Sequence, residues 1–115
     1  MTRTAADPPL DGDELIGTLR RRWKASYDLQ LVRRRRRLYL QVMWGYLEQQ
    51  SFPLSESEYR VHIQQVAEAL NRMGVAGSVR RWLETSPDRP RLGKAMSLAL
   101  DGDGAGDARL DEFLV

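Results

Sequence analysis

Hydrophobic residues recur at helical spacing in three stretches of this chain and alternate with polar residues in three others. Leu15, Leu19 and Trp23 fall at i, i+4 and i+8 with Ile16 beside them, which predicts a helix over about residues 13–25. Asp11, Asp13 and Glu14 suit its positive end, and Arg20, Arg21, Arg22 and Lys24 its negative end. Tyr59, Ile63, Val66, Leu70 and Met73 form a longer apolar stripe over about 55–73. That helix opens with Ser55 and Glu58 at capping-box spacing and closes at Gly74, which suits the left-handed residue after a helix. Burying each side chain of the stripe is worth roughly 1.5–3 kcal/mol before entropy, so this helix is the one that holds the domain together. A shorter third helix over about 76–85 presents Val79, Trp82 and Leu83 and stops before Pro87.

The alternating stretches predict strands. Tyr27, Leu29 and Leu31 alternate with Asp28 and Gln30, and Leu38, Leu40, Val42 and Trp44 alternate with Tyr39, Gln41 and Met43. The two runs make an antiparallel hairpin over about 26–46, with Arg33, Arg34, Arg35, Arg36 and Arg37 at its tip in water. No Asn-Gly or Asp-Gly marks the turn, so the pattern leaves the register open by a residue or two. Residues 88–93 hold Pro90 and Gly93 and read as a loop. Met96, Leu98 and Leu100 then alternate with Ala95, Ser97 and Ala99 as a third strand over about 94–100. The fold class is therefore α+β, a small antiparallel sheet packed with three helices. Residues 1–11 read as a flexible tail, 12–100 as one domain, and 101–115 as an acidic, glycine-rich tail.

A length of 115 residues fits one core and no more. There are no cysteines, so disulfides and thiolate metal sites are excluded. The N-terminal residues mix one Arg with four acids and offer no apolar stretch, unlike a secretory or transit peptide. The longest apolar-rich segment, 38–47, is about half of a membrane span, so no membrane insertion is expected and cytoplasmic residence is the default.

Charge changes the picture more than composition does. The formal net charge is only +2, but residues 20–37 hold nine Arg or Lys against the single acid Asp28. Residues 101–115 carry five acids and one Arg. The chain is electrostatically polarised, which points to an anionic partner for its basic part.

No catalytic constellation stands out. The single histidine, His62, lies beside the apolar stripe of the long helix and reads as a packing or boundary residue. The serines show no Gly-x-Ser-x-Gly elbow, and the carboxylates are too scattered for a zinc site with one histidine. Leu92-Gly93-Lys94 contains the Gly-Lys of a phosphate loop, but Ala95 replaces its Ser or Thr and Asp88 its first glycine. Asp101, Asp103, Gly106 and Glu112 match four positions of a calcium loop, yet Ala105 and Ala108 break the pattern and only three residues remain for an exit helix. That string reads as a solvated tail. The expectation is a protein without catalytic residues, metal or cofactor.

Four ordered blocks carry a family resemblance: Trp23 to Gln30, Leu40 to Gln49, Ser51 to Glu56, and Arg89 to Ala95. Together they resemble the DUF3067 proteins of cyanobacteria and chloroplasts over about residues 13–100, with a weaker echo in Arg109 to Leu114. The resemblance implies an α+β fold and a photosynthetic lineage. It implies no activity and transfers no site residues. The five-arginine tip and the glycine-rich insert before Asp107 are not parts of that family pattern.

Three readings of the basic surface follow. Arg33 to Arg37 can be a solvated turn that blunts strand edges. They can hold nucleic-acid phosphates while Tyr39, Trp44 or Tyr46 stacks on bases. Or they can join Arg89, Arg91 and Lys94 in seating an acidic protein. Phosphates and carboxylates both suit the arginine fork, so spacing does not separate the last two. Trp44 and Tyr46 are interleaved with core strand positions and no Gly-x-x-Gly clamp appears, which favours the protein partner. By analogy, the resemblance points the same way, toward a photosynthetic apparatus whose soluble carriers offer acidic surfaces.

Overall fold

The computed structural model describes residues 8–100, and the acidic, glycine-rich tail expected at 101–115, with its calcium-loop-like string, lies outside them. The order of elements is α1 (Gly12–Trp23), β1 (Tyr27–Arg34), β2 (Arg37–Tyr46), α2 (Glu56–Arg72), α3 (Ala76–Thr85) and β3 (Met96–Ala99). The three strands form one antiparallel sheet in the order β1-β2-β3. This is the expected α+β architecture.

Each helix begins and ends for a local reason. The Asp11 carboxylate accepts the Glu14 N–H at 2.7 Å and opens α1. Lys24 closes it in a left-handed conformation, φ 67°, two residues earlier than periodicity suggests. At α2 both halves of the capping box are made: Glu58 N–H to Ser55 Oγ at 3.2 Å and Ser55 N–H to Glu58 Oε1 at 2.8 Å. Gly74, at φ 75°, takes the left-handed position beyond its end.

One face of the sheet carries Leu29, Leu38, Leu40, Val42, Met96 and Leu100, all buried with Leu15, Leu19, Tyr59, Ile63 and Leu70 of the helices. The opposite face is mixed: Val32, Tyr39 and Ala99 lie in register across it, and Gln41 on the central strand donates to Ser97 Oγ at 3.0 Å. Gly12 sits at a close approach: a Cβ there would lie 3.1 Å from the Gln64 backbone nitrogen, so α2 would have to give by a few tenths of an ångström. No described helix is long and apolar enough to cross a membrane.

Three further features differ from the sequence reading. The segment assigned to the tail joins the body before residue 12: Leu10 is buried, and the Asn71 side chain pairs with both its N–H (2.8 Å) and its carbonyl (2.7 Å). A contact with a residue so distant in sequence leaves no local signal. The third strand begins at Met96, because Arg91 and Lys94 exchange backbone hydrogen bonds across a tight turn instead of extending it. The alternation of β2 stops at Val42, because the β1 register shifts between Tyr27 and Leu29 and leaves Trp44 in the irregularity, exposed.

Candidate functional site

The long basic run resolves into two groups at opposite ends of the central strand. Arg34 pairs with Arg37, so Arg35 and Arg36 are the two residues of a tight hairpin turn. Both have positive φ, 50° and 70°, the type I′ requirement that Asn-Gly meets easily and arginine does not. The closing pair places like charges directly across the hairpin. Arg33, Arg34, Arg35 and Arg36 are exposed, and none of them makes an ion pair among the described residues. The Arg37 guanidinium lies over the Tyr39 ring at 5.9 Å.

The other cations of the run behave differently. Arg21 forms a fork with Glu84 at 2.9 and 2.6 Å, and Arg20 donates to Ser26 Oγ at 2.6 Å beside Glu48. Arg22 donates to the Leu83 carbonyl and, at 2.6 Å, to the Ser86 carbonyl, and its guanidinium stacks 4.9 Å above the Trp23 ring. These side chains tie α1 to α3 and to the ends of the hairpin.

Arg89, Arg91 and Lys94 sit in the loop before β3, at the end of β2 away from the arginine tip. The distance along β2 is ten residues, roughly 30 Å at about 3.4 Å each. The ten residues nominated from sequence therefore do not converge. Tyr46 packs edge-on against Tyr27 at a centroid distance of 5.5 Å, and Trp44 is also remote from the tip. Only Tyr39 among the expected stacking residues accompanies the arginines.

Arg89 and Arg91, with Arg22, Lys24, Trp23 and Tyr27, line a cleft of about 500 Å³. A second hollow of about 270 Å³ lies on the other side of the same loop, against Trp82, Lys94 and Met96. Between them the Arg91–Lys94 turn carries Leu92 outward, 88% exposed.

Two polar centres, one buried and one half-buried, have partners that the sequence reading did not supply. Ser26 is fully buried; its N–H and hydroxyl donate to Glu48 at 2.9 and 2.8 Å. Partial burial works to raise the Glu48 carboxyl, but those two bonds outweigh it and hold the group below its usual range. On α2, the His62 Nε2 lies 2.7 Å from the Leu29 carbonyl and 3.1 Å from Asp28 Oδ1. Both neighbours are acceptors, so Nε2 carries a proton. The shorter contact takes the hydrogen bond, and the buried Asp28 Oδ1 lies beside the ring without an aligned donor. Asp28 raises the His62 pKa most, partial burial opposes it, and the Leu29 carbonyl adds to the rise. His62 is thus the boundary residue expected, fastening α2 to the outer edge of β1. Among the described residues no group of three His, Asp or Glu is placed to hold a metal ion.

Among the described residues, a three-stranded antiparallel sheet under α1 and α2, with α3 packed on α1 and a cationic group at each end of the central strand, defines the class. The DUF3067 family, a domain of unknown function, matches residues 13–114, and this chain belongs to it. The chain is also similar to the Alr2454 protein from Nostoc sp. strain PCC 7120, whose solution structure shares 42% identity at a TM-score of 0.79. That alignment covers 92% of this chain and 98% of the Nostoc protein, which is cyanobacterial as the resemblance implied. No curated protein matches.

Proposed function

We propose that this protein is a non-enzymatic binding or assembly module of a photosynthetic organism, and that it docks an acidic protein partner through the arginine tip of its hairpin. The observation that carries the reading is the pair Arg35 and Arg36, held at positive φ on a convex turn whose exposed neighbours Arg33 and Arg34 have no carboxylate partner among the described residues. A backbone cost accepted at a charged, protruding position favours function over mere solubility, since Asn-Gly would make the same turn more cheaply. The convex shape suits a macromolecular surface, and the arginine fork suits carboxylates. Binding of single-stranded nucleic acid would draw on several stacking faces close to the phosphate contacts, and of the three expected only Tyr39, under the Arg37 guanidinium, is near the tip, while Trp44 and Tyr46 stand at the far end of β2.

The test is charge reversal, Arg35→Glu with Arg36→Glu. An acidic protein should co-purify with the unaltered protein from a cyanobacterial extract and be lost with the variant, while the melting temperature barely moves. If the unaltered protein instead shifts labelled RNA at physiological salt, and the reversal cancels the shift, nucleic acid is the partner.

A further inference from the structure

The 500 Å³ cleft at the opposite end from the arginine tip has the size of a small-molecule site and a lining that calls for an anion. Its cations are Arg22, Lys24, Arg89 and Arg91, against the one carboxylate of Asp88. Arg22 and Lys24 also cap helix ends: Arg22 holds the Leu83 and Ser86 carbonyls, and Lys24 Nζ reaches the Arg21 carbonyl at 3.5 Å. Carbonyl partners orient these side chains without cancelling their charge. Arg89 and Arg91 are exposed and form no ion pair among the described residues, so their forks are available.

The cleft is also preorganised. Trp23 is fixed from two sides, its Nε1–H donating to the Asp88 carbonyl at 3.2 Å and its ring covered by the Arg22 guanidinium. Tyr27 is braced by Tyr46. Pro87 and the buried Pro90 restrict the loop, and the paired backbone bonds of Arg91 and Lys94 anchor its end in a tight turn. Rigid walls lower the ordering cost of binding. This site is a half-open hollow that can seat a small ligand, whereas the hairpin tip offers a protrusion.

From this geometry we infer that the cleft between the end of α1 and the 87–91 loop binds a small oxyanion-bearing ligand, a phosphate or carboxylate whose charge meets Arg89, Arg91 and Lys24 and whose planar body rests against Trp23 and Tyr27. The inference is independent of the docking role of the hairpin.

Inorganic phosphate, phenyl phosphate and benzoate, titrated separately at physiological salt while the Trp23 indole N–H is followed by NMR, test it. Phenyl phosphate is expected to shift that resonance saturably and to bind more tightly than inorganic phosphate. Benzoate shows whether the carboxylate source is accepted as well. Arg89→Ala with Arg91→Ala should weaken binding by about tenfold or more. Both side chains are exposed, and a retained spectrum elsewhere confirms that the variant folds. The tip variant Arg35→Glu with Arg36→Glu should bind as the unaltered protein does. Absence of saturation by all three probes up to about 10 mM, or equal binding by the Arg89/Arg91 variant, overturns the site. Equal affinity for inorganic and phenyl phosphate overturns the aromatic half of the proposal.

Discussion

Replacing Arg35 by Asn and Arg36 by Gly should make the protein more stable while weakening its hold on an anionic partner. Each non-glycine residue at left-handed φ costs about 1–2 kcal/mol relative to its ordinary conformations. The angles of 50° and 70° place both residues there. Glycine at position 36 recovers that cost but loses roughly 0.5–1 kcal/mol to the freedom it adds to the unfolded chain. Asparagine at position 35 tolerates the conformation and recovers part of the remainder. The net gain is about 1 kcal/mol, which for a domain of this size raises the melting temperature by about 4–6 °C. Thermal unfolding followed by circular dichroism measures it. Removing two like charges also stabilises, so the control is Arg35→Gln with Arg36→Gln, which lowers the charge equally without relieving the backbone. If the glutamine pair raises the melting temperature as much as Asn-Gly, or if Asn-Gly gives no increase, the backbone account of the tip is wrong.

Two further predictions concern the two polar centres. Because the His62 pKa is raised by Asp28, its contribution to stability is complete below the unfolded value near 6.5. It is lost as pH rises through the higher folded value. Urea midpoints between pH 5.5 and 8.5 should therefore fall with pH, and Asp28→Asn should flatten that slope; an unchanged slope would show that the pair is not the titrating clamp. Glu48→Ala should cost about 1–3 kcal/mol by orphaning the N–H and hydroxyl of buried Ser26. Since the Glu48 pKa is lowered, that stabilisation is present above the carboxylate's ordinary value and disappears as pH drops through the folded one.

Periodicity located each helix and strand of the described residues because each buries a repeating face, and the Ser55 and Glu58 pair announced its helix to the residue. Features that depend on distant partners stayed hidden. Leu10 enters the core through Asn71, Ser26 is satisfied by Glu48, and Trp44 leaves the alternation where the hairpin register shifts. The same limit governed the candidate site. A run of positive residues in sequence records charge but not direction, and the turn between α1 and β1 sends Arg20, Arg21 and Arg22 away from Arg33 to Arg37. Only the strand order shows that Arg89 and Arg91 join the first group and leave the second.

The central strand β2 spans the distance between the hairpin tip and the end of the sheet where Tyr46 braces Tyr27. It is hydrogen-bonded on both sides over part of that length, so it acts as a strut with little compliance. Occupants of the two poles would be too far apart to touch and would have no soft element to signal through. Their binding free energies should simply add, which would make the molecule a fixed-length coupler between two negatively charged guests.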